Sequence, residues 1–325
     1  MLSIVVVAYD MPTQLARTLY TLSADHQRNV DPEDYEVIVV ENRSAHTLER
    51  DELNCLNGNF RYRLREEPGL SPVHALNEGI AQARGAQVGI MIDGAHMLTP
   101  RVLEMALAGA RAFPNHLIGV PVRHLGCEEQ NRSAVAGFDE GAQDRLLASV
   151  DWRADGYELL RISVWCGANP HGFMQPMMES NCFFVPRENL RLIGGADPRF
   201  NDAGGGSLNL HLYRALGLIP DSAYLVLQGE ASFHQFHGGI TSGAERTTVS
   251  ARFRAELETL WQGGYRALTR EPIYFGSVSP QAQAVLSESS LLAERRFERL
   301  ARSAQDPWPE SAVKTLNELP FLERS

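Results

Sequence analysis

Apolar and polar positions alternate in blocks along the first 120 residues. Ser3 to Ala8 is an almost unbroken β-branched run, the mark of a strand buried on both faces, and Thr13 to Leu22 carries Leu15, Leu19 and Leu22 at helical spacing behind Pro12. Tyr35 to Val40 repeats the buried strand and ends in the polar cluster Glu41-Asn42-Arg43-Ser44. A shorter strand is expected at Phe60 to Leu64, and a helix over Pro72 to Ala83 with Gly85 as its stop. Val88 to Ile92 reads as a third strong strand ending at Asp93, Pro100 to Ala112 as a helix, and Leu117 to Val122 as a fourth strand. Buried strands alternating with helices predict an α/β fold with a mostly parallel sheet flanked by helices.

The rhythm then breaks. Residues 126–180 mix charge, Gly and Pro without a clear period, as segments that cover a site or reach a partner do. Asn181 to Val185 and Ala223 to Leu227 read as further strands, and Leu208 to Leu216 as a helix. From Thr247 onward the spacing is helical, with Phe253, Leu257, Leu260 and Trp261 in one segment and Ala282 to Ala301 in another. These patterns divide the chain into a sheet domain, 1–245, and a C-terminal helical extension, 246–325.

Composition narrows the class. The 325 residues are 44% hydrophobic and 22% charged, which suits a soluble globular protein with a sizeable core. Thirty basic against forty acidic side chains give a net charge of -10 and argue against nucleic acid as a partner. Residues 241–325 hold eleven basic and eleven acidic side chains, so the whole excess of negative charge lies in 1–240. Cys55, Cys127, Cys166 and Cys182 are far apart and fit a reducing compartment. The apolar run at Leu2 to Tyr9 is too short for a transmembrane segment and lacks a basic leader, so a cytoplasmic location is expected.

Ligands of an open parallel sheet collect beyond the carboxyl ends of its strands. Here those ends are Tyr9-Asp10, Glu41-Asn42-Arg43-Ser44 and Asp93-Gly94-Ala95-His96. Asp, Asn and Ser also serve as turn and cap residues, but three such clusters converge on one edge.

At this level the chain resembles the family 2 glycosyltransferases of the GT-A, Rossmann-like fold. The resemblance rests on residues 3–10 (SIVVVAYD), 37–44 (VIVVENRS), 77–85 (NEGIAQARG), 91–100 (MIDGAHMLTP) and 194–200 (GGADPRF), in the family's order, and covers about residues 1–240. It implies a nucleotide-sugar donor held by Tyr9, Asp10, Glu41, Asn42, Ser44, Asn77 and Asp93, with Tyr9 against the base and Glu41 or Asn42 on its polar edge. It implies a glycan or small-molecule acceptor, inversion at the sugar, and a divalent metal opposite the leaving diphosphate.

Two departures stand out. The second aspartate of the family's Asp-x-Asp motif falls at Ala95, which cannot bind a metal, and His96 is its nearest replacement. Imidazole favours Mn²⁺ over Mg²⁺. His234 and His237 offer further ligands, although in a straight strand they would face opposite ways, so joint ligation requires a turn there. Secondly, the family's acidic pair, source of the general base, is replaced by Gly204-Gly205-Gly206. Asp202, Glu179 and Glu230 are the candidate substitutes, and the glycines themselves could form an anion nest.

In the tail, Trp261, Tyr265, Tyr274, Phe275 and Trp308 are packing or sugar-stacking aromatics. The segment Glu294, Arg295, Arg296, Phe297, Glu298, Arg299 reads as a solvated helix face whose apolar side packs on the sheet domain or on a second copy in a homodimer. Two other classes stay open: a catalytically silent GT-A-like module that binds nucleotide or glycan, and a nucleotidyltransferase. The latter lacks its lysine-rich phosphate loop, Lys314 being the only lysine.

Overall fold

In a computed structural model, residues 1–67, 71–128, 130–166, 169, 172–238, 255–261, 268 and 270–303 are described. Twelve strands are assigned among them: β1 (Leu2–Ala8), β2 (Tyr35–Asn42), β3 (Phe60–Arg65), β4 (Gln87–Met91), β5 (His96–Leu98) and β6 (His116–Gly119) in the first half, then β7 (Val122–Leu125), β8 (Ser163–Trp165), β9 (Phe183–Pro186), β10 (Ala223–Leu227), β11 (Ser232–His234) and β12 (Ile273–Phe275). The main sheet runs β12-β10-β6-β9-β4-β1-β2-β3, parallel except for β9, which lies antiparallel between β4 and β6.

The apolar runs are continuous because both faces of this sheet are covered. Val5, Val7, Ile38, Val40, Val88 and Ile90 point into one core, while Leu2, Ile4, Val6, Val37, Val39 and Met91 point into the other. Helices Val73–Gln82 and Leu208–Gly217 feed the first core, and helices Pro12–Leu22 and Val102–Ala112 the second. Burying each of these aliphatic side chains contributes about 1.5–3 kcal/mol.

The strand expected at Leu117 to Val122 is instead two. Pro121, which has no N–H for a ladder, separates β6 in the main sheet from β7 in a second sheet ordered β5-β11-β7-β8. β11 pairs antiparallel with β5 and parallel with β7, which aligns His96, His234 and His124 in one row across three strands.

The C-terminal segment adds more than helix. β12 extends the main sheet beside β10, and helix Gln283–Ser303 packs through Ser289, whose Oγ accepts from the Phe173 amide at 3.1 Å. Arg296 corrects the expected solvated face: it is 1% exposed and reaches Glu271 at 2.7 Å, whereas Phe297 and Leu291 lie exposed. Thr247, Phe253, Tyr265 and Trp308 fall outside the described residues. No helix among the described residues is long and apolar enough to cross a membrane, and none of the four cysteines is disulfide-bonded.

Candidate functional site

β1, β2 and β4 run parallel, so Tyr9, Asp10 and Asp93 follow strand ends at one edge, with Glu41 and Asn42 closing β2 there. β9 runs the opposite way and therefore begins at this edge, bringing Glu179 and Asn181 to it. The small sheet adds its row of histidines.

Asp93 is the centre. Its Oδ1 accepts from the Ala95 amide at 2.9 Å, and its Oδ2 lies 3.2 Å from His234 Nε2 and 3.5 Å from His237 Nε2. β11 ends at His234, and His237 beyond it lies near the same Asp93 oxygen. Burial opposes ionisation of Asp93, but the charges and hydrogen bonds of His237 and His234 outweigh it and hold the carboxyl well below its usual range. Ala95 is fully buried in a backbone role, its carbonyl accepting from Gln235 N at 2.8 Å.

Ligand atoms of Asp93, His96 and His234 lie within 4.8 Å of one another. His96 is fully buried, and neither ring nitrogen has a hydrogen-bond partner among the described residues. Burial and the neighbouring His234 depress its pKa well below the ordinary value, which leaves it neutral with a lone pair to give. Buried polar atoms normally have partners, so an orphaned imidazole beside a carboxylate and a second imidazole fits a metal ion. His124, absent from the sequence candidates, completes the row. Its ring centroid is 5.5 Å from that of His234, and burial depresses its pKa to about 3. Only strand register reveals it, since His124 lies 110 residues from its neighbour.

The expected nucleotide-binding residues separate into two groups. Tyr9, Asp10 and Ser44 line the open rim, where Asp10 Oδ1 accepts from the His46 backbone at 3.2 Å and Ser44 Oγ donates to the His46 carbonyl at 2.6 Å. Glu41 is buried, with Oε2 accepting from Tyr62 Oη at 2.6 Å and Leu48 N at 3.1 Å while Oε1 has no partner among the described residues. Asn42 ties β2 to its surroundings, donating to Ser71 O at 3.2 Å and accepting from Arg65 at 2.9 Å.

Asn77, expected at the donor, clamps the 194–200 segment in the structure. Its amide both donates to Ala196 O at 2.7 Å and accepts from Ala196 N at 2.8 Å. A Cβ on Gly195, at φ +77°, would lie 2.7 Å from that amide oxygen, which explains the glycine of the 194–200 motif.

Among the candidate bases, Glu230 is the one the structure ties to the scaffold. It is fully buried, accepting from Tyr157 Oη at 2.6 Å and Arg101 N at 3.2 Å, and so fastens the turn before helix Val102–Ala112. Glu179 is half-buried at the strand edge, where Asn209 Nδ2 donates to it at 2.9 Å and to Asn181 Oδ1 at 3.0 Å. Burial raises its pKa to about 7, with the Asn209 bond opposing. Asp202 precedes the glycine turn, where Gly205 N donates to its backbone carbonyl at 3.0 Å. The turn is filled from elsewhere: Glu256 Oε2 accepts from Ser207 N at 2.6 Å and lies 2.4 Å from where a Gly206 Cβ would stand. A carboxylate fifty residues downstream thus occupies the space that a side chain in the turn would take.

Residues 3–164 match the family described as Glycosyl transferase family 2. That range includes Tyr9, Glu41, Asp93, His96 and His124, and ends before Glu179 and His234. No curated protein matches the chain in sequence. Among solved structures, it is similar to S. aureus TarS 1–349 in complex with UDP, at 12% identity over 92% of this chain and 72% of that chain, with a TM-score of 0.51. It is similar also to S. aureus TarS 1–349, at 14% identity over 94% and 75%, with a TM-score of 0.50. At such identity the likeness establishes the GT-A fold.

Proposed function

Taking as premise that residues 3–164 belong to glycosyl transferase family 2, we propose that this chain moves a sugar from a nucleotide-sugar donor to a hydroxyl of a glycan or small-molecule acceptor, with inversion. The observation that carries this is the cluster Asp93, His96 and His234 at the carboxyl edge of a parallel sheet, beside the rim of Tyr9, Asp10 and Ser44. His237, within reach of Asp93, extends the ligand set.

A divalent ion held there would supply positive charge opposite the leaving nucleoside diphosphate. Nitrogen ligands favour Mn²⁺ over Mg²⁺. The net charge of -10 lies wholly in residues 1–240 and repels an anionic donor, so a local cation offsets a real penalty. Tyr9 offers a ring face to the base, and Glu41 Oε1, unpartnered among the described residues, an acceptor for a base N–H.

Glu179 takes the acceptor proton. As the acceptor oxygen bonds to the anomeric carbon and the bond to diphosphate breaks, the proton passes to Glu179, whose pKa near 7 suits a base at neutral pH. Asp202 flanks the turn as a second acid on the acceptor side. Residues 246–325 extend the transferase unit 1–245, adding β12 to its sheet edge and Glu256 to its glycine turn. The exposed Leu291 and Phe297 of helix Gln283–Ser303 are the contacts a homodimer would use, and a cytoplasmic setting goes with this reading.

The test is a panel of UDP- and GDP-sugars with Mn²⁺ and a broad set of acceptor sugars, read as nucleoside diphosphate released and glycoside formed. Product that disappears in Asp93→Ala supports the proposal. Tight nucleotide binding with no product for any acceptor replaces it with a silent binding module.

A further inference from the structure

Gln130 stands between two of the aligned histidines and bonds to each through a different part of itself. Its side-chain Nε2 donates to the His234 carbonyl at 2.8 Å, which fixes the amide orientation, because a carbonyl only accepts. The amide oxygen is therefore the atom against His234 Nδ1, and that nitrogen must carry the proton. His234 Nε2 lies 3.2 Å from Asp93 Oδ2, a gap that a second ring proton closes in the metal-free protein and that a metal ion can fill in its place.

The backbone of the same residue does the reverse to His124. Gln130 N–H donates to His124 Nδ1 at 3.1 Å, so this nitrogen accepts and the ring proton lies on Nε2. Its protonated Nε2 is a hydrogen-bond donor, and the row β5-β11-β7 sets the ring itself beside that of His234.

We propose that Gln130 is a positioning residue that sets opposite tautomers on His234 and His124, making His234 Nε2 a metal ligand and His124 Nε2–H a donor to the anionic group that the metal binds. That anionic group, a diphosphate, rests on the transferase reading, whereas the two tautomers do not. Partners that fix the proton on a ligating histidine commonly govern metal affinity 10–100-fold.

The test uses the full chain labelled with ¹⁵N-histidine, metal-free, with His124→Gln and His234→Gln to assign the signals. Protonated Nδ1 on His234 and protonated Nε2 on His124 are expected. Gln130→Leu, checked for native circular dichroism, should release the His234 tautomer and weaken Zn²⁺ binding by tenfold or more in calorimetry. Gln130→Glu keeps an acceptor against Nδ1 and should retain the His234 tautomer. The same tautomer on both rings, or unchanged Zn²⁺ affinity in Gln130→Leu, overturns the role of Gln130. Adding inorganic diphosphate to the Zn²⁺-loaded protein should move the His124 Nε2 signal. Diphosphate that leaves it unmoved overturns the donor role. Failure of the transferase reading appears separately, as absent sugar transfer with both tautomers as stated.

Discussion

His96 and His234 face each other across the antiparallel pairing of β5 and β11, with ring centroids 4.8 Å apart. The pair is costly without a ligand, because both nitrogens of His96 are buried and unpartnered among the described residues. Each such group costs about 1–3 kcal/mol. His96→Leu is therefore expected to raise metal-free stability by about 1–3 kcal/mol in urea unfolding and to abolish the stabilisation that Mn²⁺ or Zn²⁺ gives the wild type. A destabilised metal-free variant would show that His96 has a partner of its own.

Asn209 tunes the proposed base. Its hydrogen bond lowers the pKa of Glu179 against the larger effect of burial, which raises it to about 7. A base must be ionised, so kcat/KM should fall as pH drops through the region of 7. Asn209→Ala removes the opposing bond, and the acidic limb of the profile should move to higher pH. A limb that stays in place separates Asn209 from the base.

Glu230 belongs to the scaffold, and Glu230→Gln should transfer sugar within about twofold of wild type on the transition-state scale. Burial raises the Glu230 pKa to about 7 from its ordinary 4.5. A raised folded-state value means that its contribution to stability is complete below the unfolded pKa and is lost as pH rises through the folded one. Between pH 4.5 and 7 the wild type should thus lose stability more steeply than Glu230→Gln in denaturant titrations. A hundredfold loss of turnover would return Glu230 to the chemistry.

Glu256 steadies the start of helix Leu208–Gly217, which carries Asn209. Replacing its charge there should cost about 0.3–1 kcal/mol, as for other carboxylates at helix N-termini. Gly206→Ala should cost more, since Gly206 has φ +50° and the added carbon would meet the Glu256 carboxylate at 2.4 Å. Glu256→Gln and Gly206→Ala are both expected to lower kcat with donor KM unchanged, and to move the acidic limb in the same direction as Asn209→Ala. Normal kcat in both variants would confine Glu256 to stability.

Much of the site edge was legible before any coordinates. Buried strands show as β-branched runs because both faces of a parallel sheet are covered, and the polar residues that follow them mark its ligand edge. Asp93 stands at such a strand end, His96, His234 and His237 follow from the family resemblance, and the structure sets His96 and His234 around Asp93 with His237 nearby. The internal bonds of Asn77 and Glu230 are not legible, because an amide or a carboxylate bonded within the protein looks, in one dimension, like one waiting for a ligand. Only the partners Ala196, Tyr157 and Arg101 reveal the difference.

The chain's own pattern determined the alternating strands and helices and the carboxyl edge, and the family resemblance marked Ala95 as the position where an aspartate is expected. Tertiary structure decided the rest, because strand register and long-range contact have no local signature. Pro121 moves the chain from one sheet to the other, and the new register aligns His124 with His234. Packing of residues 255–261 against helix Leu208–Gly217, with Trp261 Nε1 donating to His211 at 2.8 Å, brings Glu256 to a turn made of glycines. A carboxylate absent from the motif in sequence is present beside it in space.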